Sequence, residues 1–311
     1  MGKPLFIAIF LLFAAGLALY MLSNSPQFFG PFGGLRSTST PLGARSSTLV
    51  PYEPYNPSMG TYFAGSNQTA GSSTYLSSIP DSQIPQGFTR AQLSRQFGRV
   101  RVASAYRSVF GSSPSEIRLY AGYLSQNEAI NITGWRVRSN RGEVIITQAV
   151  SSYEPSGFTP PSDIILRSGN YVVLYGALSP LARNIRLNKC IGYLNTLYQF
   201  FPPLPSNCPL PSDLGVLYLS GQCQAYVRSL GGCQLPSVSF YNQLPGTTEG
   251  NACRNFLNGV NYRSCYEDHR SDVDFLGSEW RVWVNRDILD PQHDLVRLYD
   301  PQGLLVDQYV Y

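Results

Sequence analysis

Asn131–Ile146 reads NITGWRVRSNRGEVII, and its pattern decides how the chain folds. Trp135 and Val137 alternate with Arg136 and Arg138, the period-2 signature of a strand with one covered and one wetted face. Ser139-Asn140-Arg141-Gly142 follows as a turn, because Asn and Gly accept unusual backbone angles cheaply. Val144, Ile145 and Ile146 begin the returning strand. An inward Trp demands a covering layer, and the chain after residue 98 supplies candidates for it.

Working outward, Arg99–Arg107 alternates and reads as a first strand, and Ser115–Tyr120 as a second, with Ile117 and Leu119 on one face. Thr89 is placed to cap a short helix over Arg90–Phe97 that Gly98 ends. Ile164-Ile165-Leu166 and Tyr171–Tyr175 bracket Ser168-Gly169-Asn170 and are expected to pair. The strand pattern returns at Glu279, where Trp280, Val282 and Val284 share a side. Asp294–Tyr299 and Leu304–Val310 flank Asp300-Pro301-Gln302-Gly303, a sequence suited to a type I turn closing a hairpin. Short strands, frequent turns and no long interspersed helices predict an all-β sandwich over residues 90–311.

The order of SEIRLY, NITGWRVRS, EWRVWV and a final LVRLYDPQGLLVDQYVY resembles the lamin tail domain of secreted and surface bacterial proteins. The closing apolar–x–Leu–x–Asp–x–x–Gly–x–apolar–Val–Asp pattern carries most of that resemblance, and Gly134-Trp135 carries the next part. It covers Arg99–Ile185 and Glu279–Tyr311. It implies an immunoglobulin-like β-sandwich that binds or positions partners without catalysis. Residues 187–274 depart from the family's layout.

All six cysteines fall in that departure: Cys190, Cys208, Cys223, Cys233, Cys253 and Cys265. An even, clustered count predicts disulfides in an exported chain, and no C-x-x-C spacing suggests zinc. Fifteen connectivities are open. If CQAYVRSLGGC and CRNFLNGVNYRSC are antiparallel helices, Cys223 meets Cys265, Cys233 meets Cys253, and Cys190 takes Cys208. The region thus reads as a disulfide-rich, partly helical insertion.

The 311 residues include only 14% charged side chains, against about a quarter in ordinary soluble domains. Lys3 precedes the apolar run Leu5–Leu22, with no further Lys or Arg until Arg36. The run is at the threshold of a membrane span and lacks a small-x-small cleavage site, so residues 1–22 read as a signal-anchor or transmembrane helix with the bulk outside. A cleaved signal with a secreted product and a buried core helix are the alternatives. Residues 23–89 read as a disordered linker: 36 of these 67 are Ser, Thr, Gly or Pro, too polar to offset their ordering entropy. Asn67-Gln68-Thr69 and Asn131-Ile132-Thr133 match the N-glycosylation acceptor pattern.

Residues 90–190 carry thirteen Arg or Lys against five acids, and residues 191–311 seven against twelve. Arg99, Arg101, Arg136, Arg138 and Arg141 are therefore candidate contacts for nucleic acid or another anionic polymer. Tyr266–Asp274 gathers Glu267, Asp268, His269, Asp272 and Asp274, with Asp272 and Asp274 the best cation candidates, yet it lacks a calcium-loop pattern. Local pairing at a helix end is the plainer reading. His293 sits in an expected loop. No nucleophile elbow, zincin, Walker or dinucleotide motif is present, so no cofactor is implied. The expectation is a tethered, non-enzymatic surface module that binds a protein or polymer. The alternatives are the anionic-polymer binder and a hydrolase using the 266–274 cluster.

Overall fold

In the computed structural model, the residues described are 71–107, 113–122, 124–125 and 127–311. The apolar run of residues 5–22, the linker through residue 70 and the Asn67 acceptor site lie outside them. No helix among the described residues is long and apolar enough to cross a membrane.

Eleven strands are present among the described residues. They are β1 (Val100–Tyr106), β2 (Glu116–Ala121), β3 (Ile130–Asn131), β4 (Arg136–Ser139), β5 (Gly142–Ile145), β6 (Ile165–Leu166), β7 (Tyr171–Tyr175), β8 (Ile185–Asn188), β9 (Leu276–Trp283), β10 (Leu295–Tyr299) and β11 (Leu305–Val310). They form a five-stranded sheet β1-β2-β7-β9-β8, a four-stranded sheet β11-β10-β4-β5 and the small pair β3-β6. Alternation decides what each strand buries. Trp135 and Val137 turn into one core with Leu119, Val172, Trp280, Val282, Val296 and Leu298, drawn from both large sheets. A shared interior of this kind fixes register, because a one-residue slip would expose every one of these side chains. At the end of β10, Gly303 N–H donates to the Asp300 carbonyl (3.0 Å) and Leu304 N–H to Asp300 Oδ1 (2.9 Å), closing the last hairpin.

Between the sheets, Val102 N–H donates to Asp307 Oδ2 (2.7 Å) at the bulge of β1, tying β1 to β11. Burial raises the Asp307 carboxyl above its ordinary value, against the opposing pull of the Val102 and Gln308 N–H groups and Arg101.

Three local expectations change. First, β6 pairs with β3, not β7 (Ile130 opposite Leu166), because Asn131 reaches Asp163 (2.8 Å) and Ile164 N–H donates to Thr133 (2.8 Å). β7 lies instead between β2 and a parallel β9, contributed from about a hundred residues later. Second, the helix expected over Arg90–Phe97 stops after one turn at Gln92. The backbone is captured by β11: Ser94 N–H donates to the Leu305 carbonyl (2.8 Å) and Gly98 N–H to that of Val306 (2.9 Å). Third, the end of the expected linker is folded. α1 (Gly71–Ser78) leads into a chain whose Ile79, Leu93 and Phe97 bury Leu305. Sparse apolar residues suffice there because β11 supplies part of the cluster they join.

The cysteine-bearing region, inserted between β8 and β9, carries α2 (Gly221–Ser229), α3 (Val238–Gln243), α4 (Thr248–Asn258) and α5 (Tyr262–His269). Each begins at a Ser, Thr or Asn whose side chain accepts an orphan N–H: Ser220, Ser237, Thr247 and Asn261. The region has its own core and packs it on the outer side chains Val173, Tyr175, Ile185 and Trp283 of the five-stranded sheet.

Its disulfides are Cys190–Cys265, Cys208–Cys233 and Cys223–Cys253, not the pairs expected from two antiparallel helices. The cause is local. CRNFLNGVNYRSC is two helices broken at Gly259-Val260-Asn261, so Cys253 and Cys265 sit on different elements. Cys253 on α4 reaches Cys223 on α2, while Cys265 on α5 reaches Cys190 beside the end of β8.

Peptide mapping without reduction is expected to recover these three linkages, and replacing Cys190 and Cys265 together by Ser to lower stability by about 2–5 kcal/mol in a denaturant melt. Asp307→Asn is expected to keep the acceptor for Val102. A carboxyl raised on folding holds its proton more tightly in the native state, so its contribution is fullest in acid and falls as pH rises past its ordinary value. Melts between acid and neutral pH should show the variant at least as stable as the parent near neutrality, with the gap closing in acid.

Candidate functional site

A cleft of about 540 Å³ opens where the insert leaves and rejoins the five-stranded sheet, within the range of ligand sites. Tyr171, on β7, and Ser278 and Glu279, on β9, form one wall. Pro205, Pro209 and Leu210 of the insert form the other. Lys189 and Asp274 close one end, and Asp213 also lines the opening.

The sheet wall is rigidly wired. Tyr171 Oη donates to Glu279 Oε2 (2.9 Å), and Arg281 Nε donates to Glu279 Oε1 (2.7 Å). Arg281 is 5% exposed and donates from Nη1 to the carbonyl of Pro202 (2.8 Å) and from Nη2 to that of Pro203 (3.2 Å). Its guanidinium also lies over the Tyr175 ring, 5.6 Å from the centroid. One buried cation thereby bolts the proline loop of the insert to the sheet and holds Glu279 in place. Burial pushes the Tyr171 phenol up, and the adjacent Glu279 charge adds to this. Tyr175 is raised further, chiefly by burial.

At the cleft's end, Lys189 Nζ lies 3.0 Å from Asp272 and 2.5 Å from Asp274. His269 Nδ1 meets Asp272 at 2.9 Å. Bonds from His269 and then Lys189 hold Asp272 below its ordinary value, and Lys189 does the same for Asp274. The Lys189 ammonium is raised, first by its bond to Asp274. The two candidate cation ligands thus bracket an ammonium at the end of α5. Among the described residues no group of three or more His, Cys, Asp or Glu is arranged to hold a metal ion.

The five candidate arginines each meet a local acceptor. Arg99 pairs with Glu128 and lies over Tyr75. Arg101 donates to the Gly98 carbonyl (3.0 Å). Arg136 and Arg138 share Glu143, at 3.8 and 2.8 Å. Arg141 points toward the Leu289 carbonyl (3.5 Å). Arg99 and Arg101 belong to the start of the five-stranded sheet, while Arg136 and Arg138 stand on the outer face of the four-stranded one. His293 lies in an exposed loop before β10.

Sequence reasoning missed Tyr171, Glu279 and Arg281. The signal was the second face of EWRVWV: Trp283 shares a side with Arg281, so that face also required a cover. No protein-family model, curated protein or solved structure matches this chain.

Arg281→Met is expected to destabilise the fold by about 3–5 kcal/mol, because it strands Glu279 and two carbonyls under the insert. A denaturant melt with disulfides intact measures this.

Proposed function

We propose that the chain is an exported, membrane-tethered binding module without a catalytic role, holding a surface protein or polymer in the cleft between insert and sheet. The observation that carries this reading is the pairing of all six cysteines into three disulfides. Such bonds form and persist in oxidising compartments. The apolar run Leu5–Leu22 with its lone preceding Lys3 supplies the tether, and the Ser/Thr/Gly/Pro-rich stretch after it supplies reach.

The domain is read as an immunoglobulin-like sandwich of the lamin-tail kind. Two sheets sharing one core and a closing hairpin at Asp300–Gly303 favour that reading. A non-catalytic use is favoured by the state of the two candidate cation ligands, Asp272 and Asp274, which are tied to Lys189 and His269.

Fractionation of producing cells with protease shaving is the test. The chain is expected in the membrane fraction, with its folded part accessible from outside and no thiol that reacts before reduction. A cytosolic protein with six reactive thiols would refute the proposal.

A further inference from the structure

The two walls of the cleft differ in chemistry, and that difference points to a ligand class. Pro205, Pro209 and Leu210 present C–H surface on the insert side, with Leu210 45% exposed. The sheet side presents the Tyr171 and Ser278 hydroxyls, the Glu279 and Asp274 carboxylates and the Lys189 ammonium. Polar side chains thus crowd the sheet side and the cleft's end, while the insert wall is mostly apolar, with Asn207 and Asp213 as its polar groups.

We propose that this cleft binds a neutral oligosaccharide; the proposal rests on the binding-module reading and adds the ligand to it. A sugar hydroxyl both donates and accepts, so it needs both kinds of partner, and the ring's C–H face needs an apolar surface opposite. The polar groups are held before any ligand arrives: Glu279 by Arg281 and Tyr171, Asp274 by Lys189. Such preorganisation reduces the entropy lost on binding.

Charge argues against the two rival ligands. An anionic polymer would meet Asp213, Asp274 and Glu279, and the single lining cation, Lys189, is already shared between Asp272 and Asp274. A basic peptide side chain uses acceptors only. The charges of Glu279 and Asp274 are already balanced by Arg281 and Lys189, which leaves Asp213 as the lining carboxylate without an ion pair among the described residues. Beyond the cleft, Tyr120 lies directly across from Tyr171 and is 42% exposed, so the surface continues for a longer chain.

The test is calorimetric titration of the disulfide-intact protein with chitotriose, cellotriose and maltotriose, alongside tri-lysine and a heparin hexasaccharide. At least one neutral trisaccharide is expected to bind saturably. Leu210→Trp, which fills the cleft from an exposed position, is expected to weaken that binding about tenfold or more with an unchanged melting temperature. Asp213→Asn keeps the shape and is expected to change it far less. Failure of all three neutral sugars at millimolar concentration overturns the proposal, as does sugar binding that ignores Leu210→Trp. Binding of tri-lysine or heparin that is lost in Leu210→Trp also overturns the ligand class, while leaving the module reading in place.

Discussion

A guanidinium is costly to bury unless fixed acceptors meet its donors. Arg281 satisfies that condition on the outer face of β9, with Glu279 on one side and the Pro202 and Pro203 carbonyls on the other. Those acceptors come from two parts of the molecule, the sheet and the inserted region. Their spacing is therefore set by the cation between them. The position of the proline loop, the orientation of Glu279 and the width of the cleft all follow from this contact.

The insert needs such fastening because its helices are short. α3 has six residues and α5 eight, well under the length at which isolated helices persist in water. Side-chain caps at all four N-termini, three disulfides and a core laid on Val173, Tyr175 and Trp283 supply the missing stability. Cys190–Cys265 adds a second clamp at the far side of the same junction, just beyond Lys189. The junction is thus held by the hydrogen bonds of a buried arginine and by a covalent bond.

The same arrangement accounts for the uneven exposure of the five-stranded sheet. Its inner face is closed by the four-stranded sheet, and the outer faces of β7, β9 and β8 are closed by the insert. The outer faces of β1 and β2 stay open, which leaves Tyr106 and Tyr120 in solvent. Tyr171 and Glu279 stand at the boundary between the covered and open parts. Residues there can be rigid and accessible together, a combination that binding sites require.

Much of the β architecture was legible in the chain because its signals are local. Alternation around Trp135, the Asp300-Pro301-Gln302-Gly303 turn and the apolar side of EWRVWV each depend on a few neighbouring residues and the two-residue repeat of a strand. The clustered, even cysteine count likewise announced a disulfide-bonded region. Pairing partners were decided only in three dimensions. β6 chose β3, β7 accepted a parallel β9 from far along the chain, and the break at Gly259-Val260-Asn261 redirected Cys253 and Cys265. The cleft belongs to this second kind: Tyr171, Lys189, Leu210 and Glu279 are scattered over more than a hundred residues, and no local pattern joins them. Sequence determined which faces had to be buried, since burial is a property of each side chain; tertiary structure decided what buried them, since that depends on which distant surfaces fit.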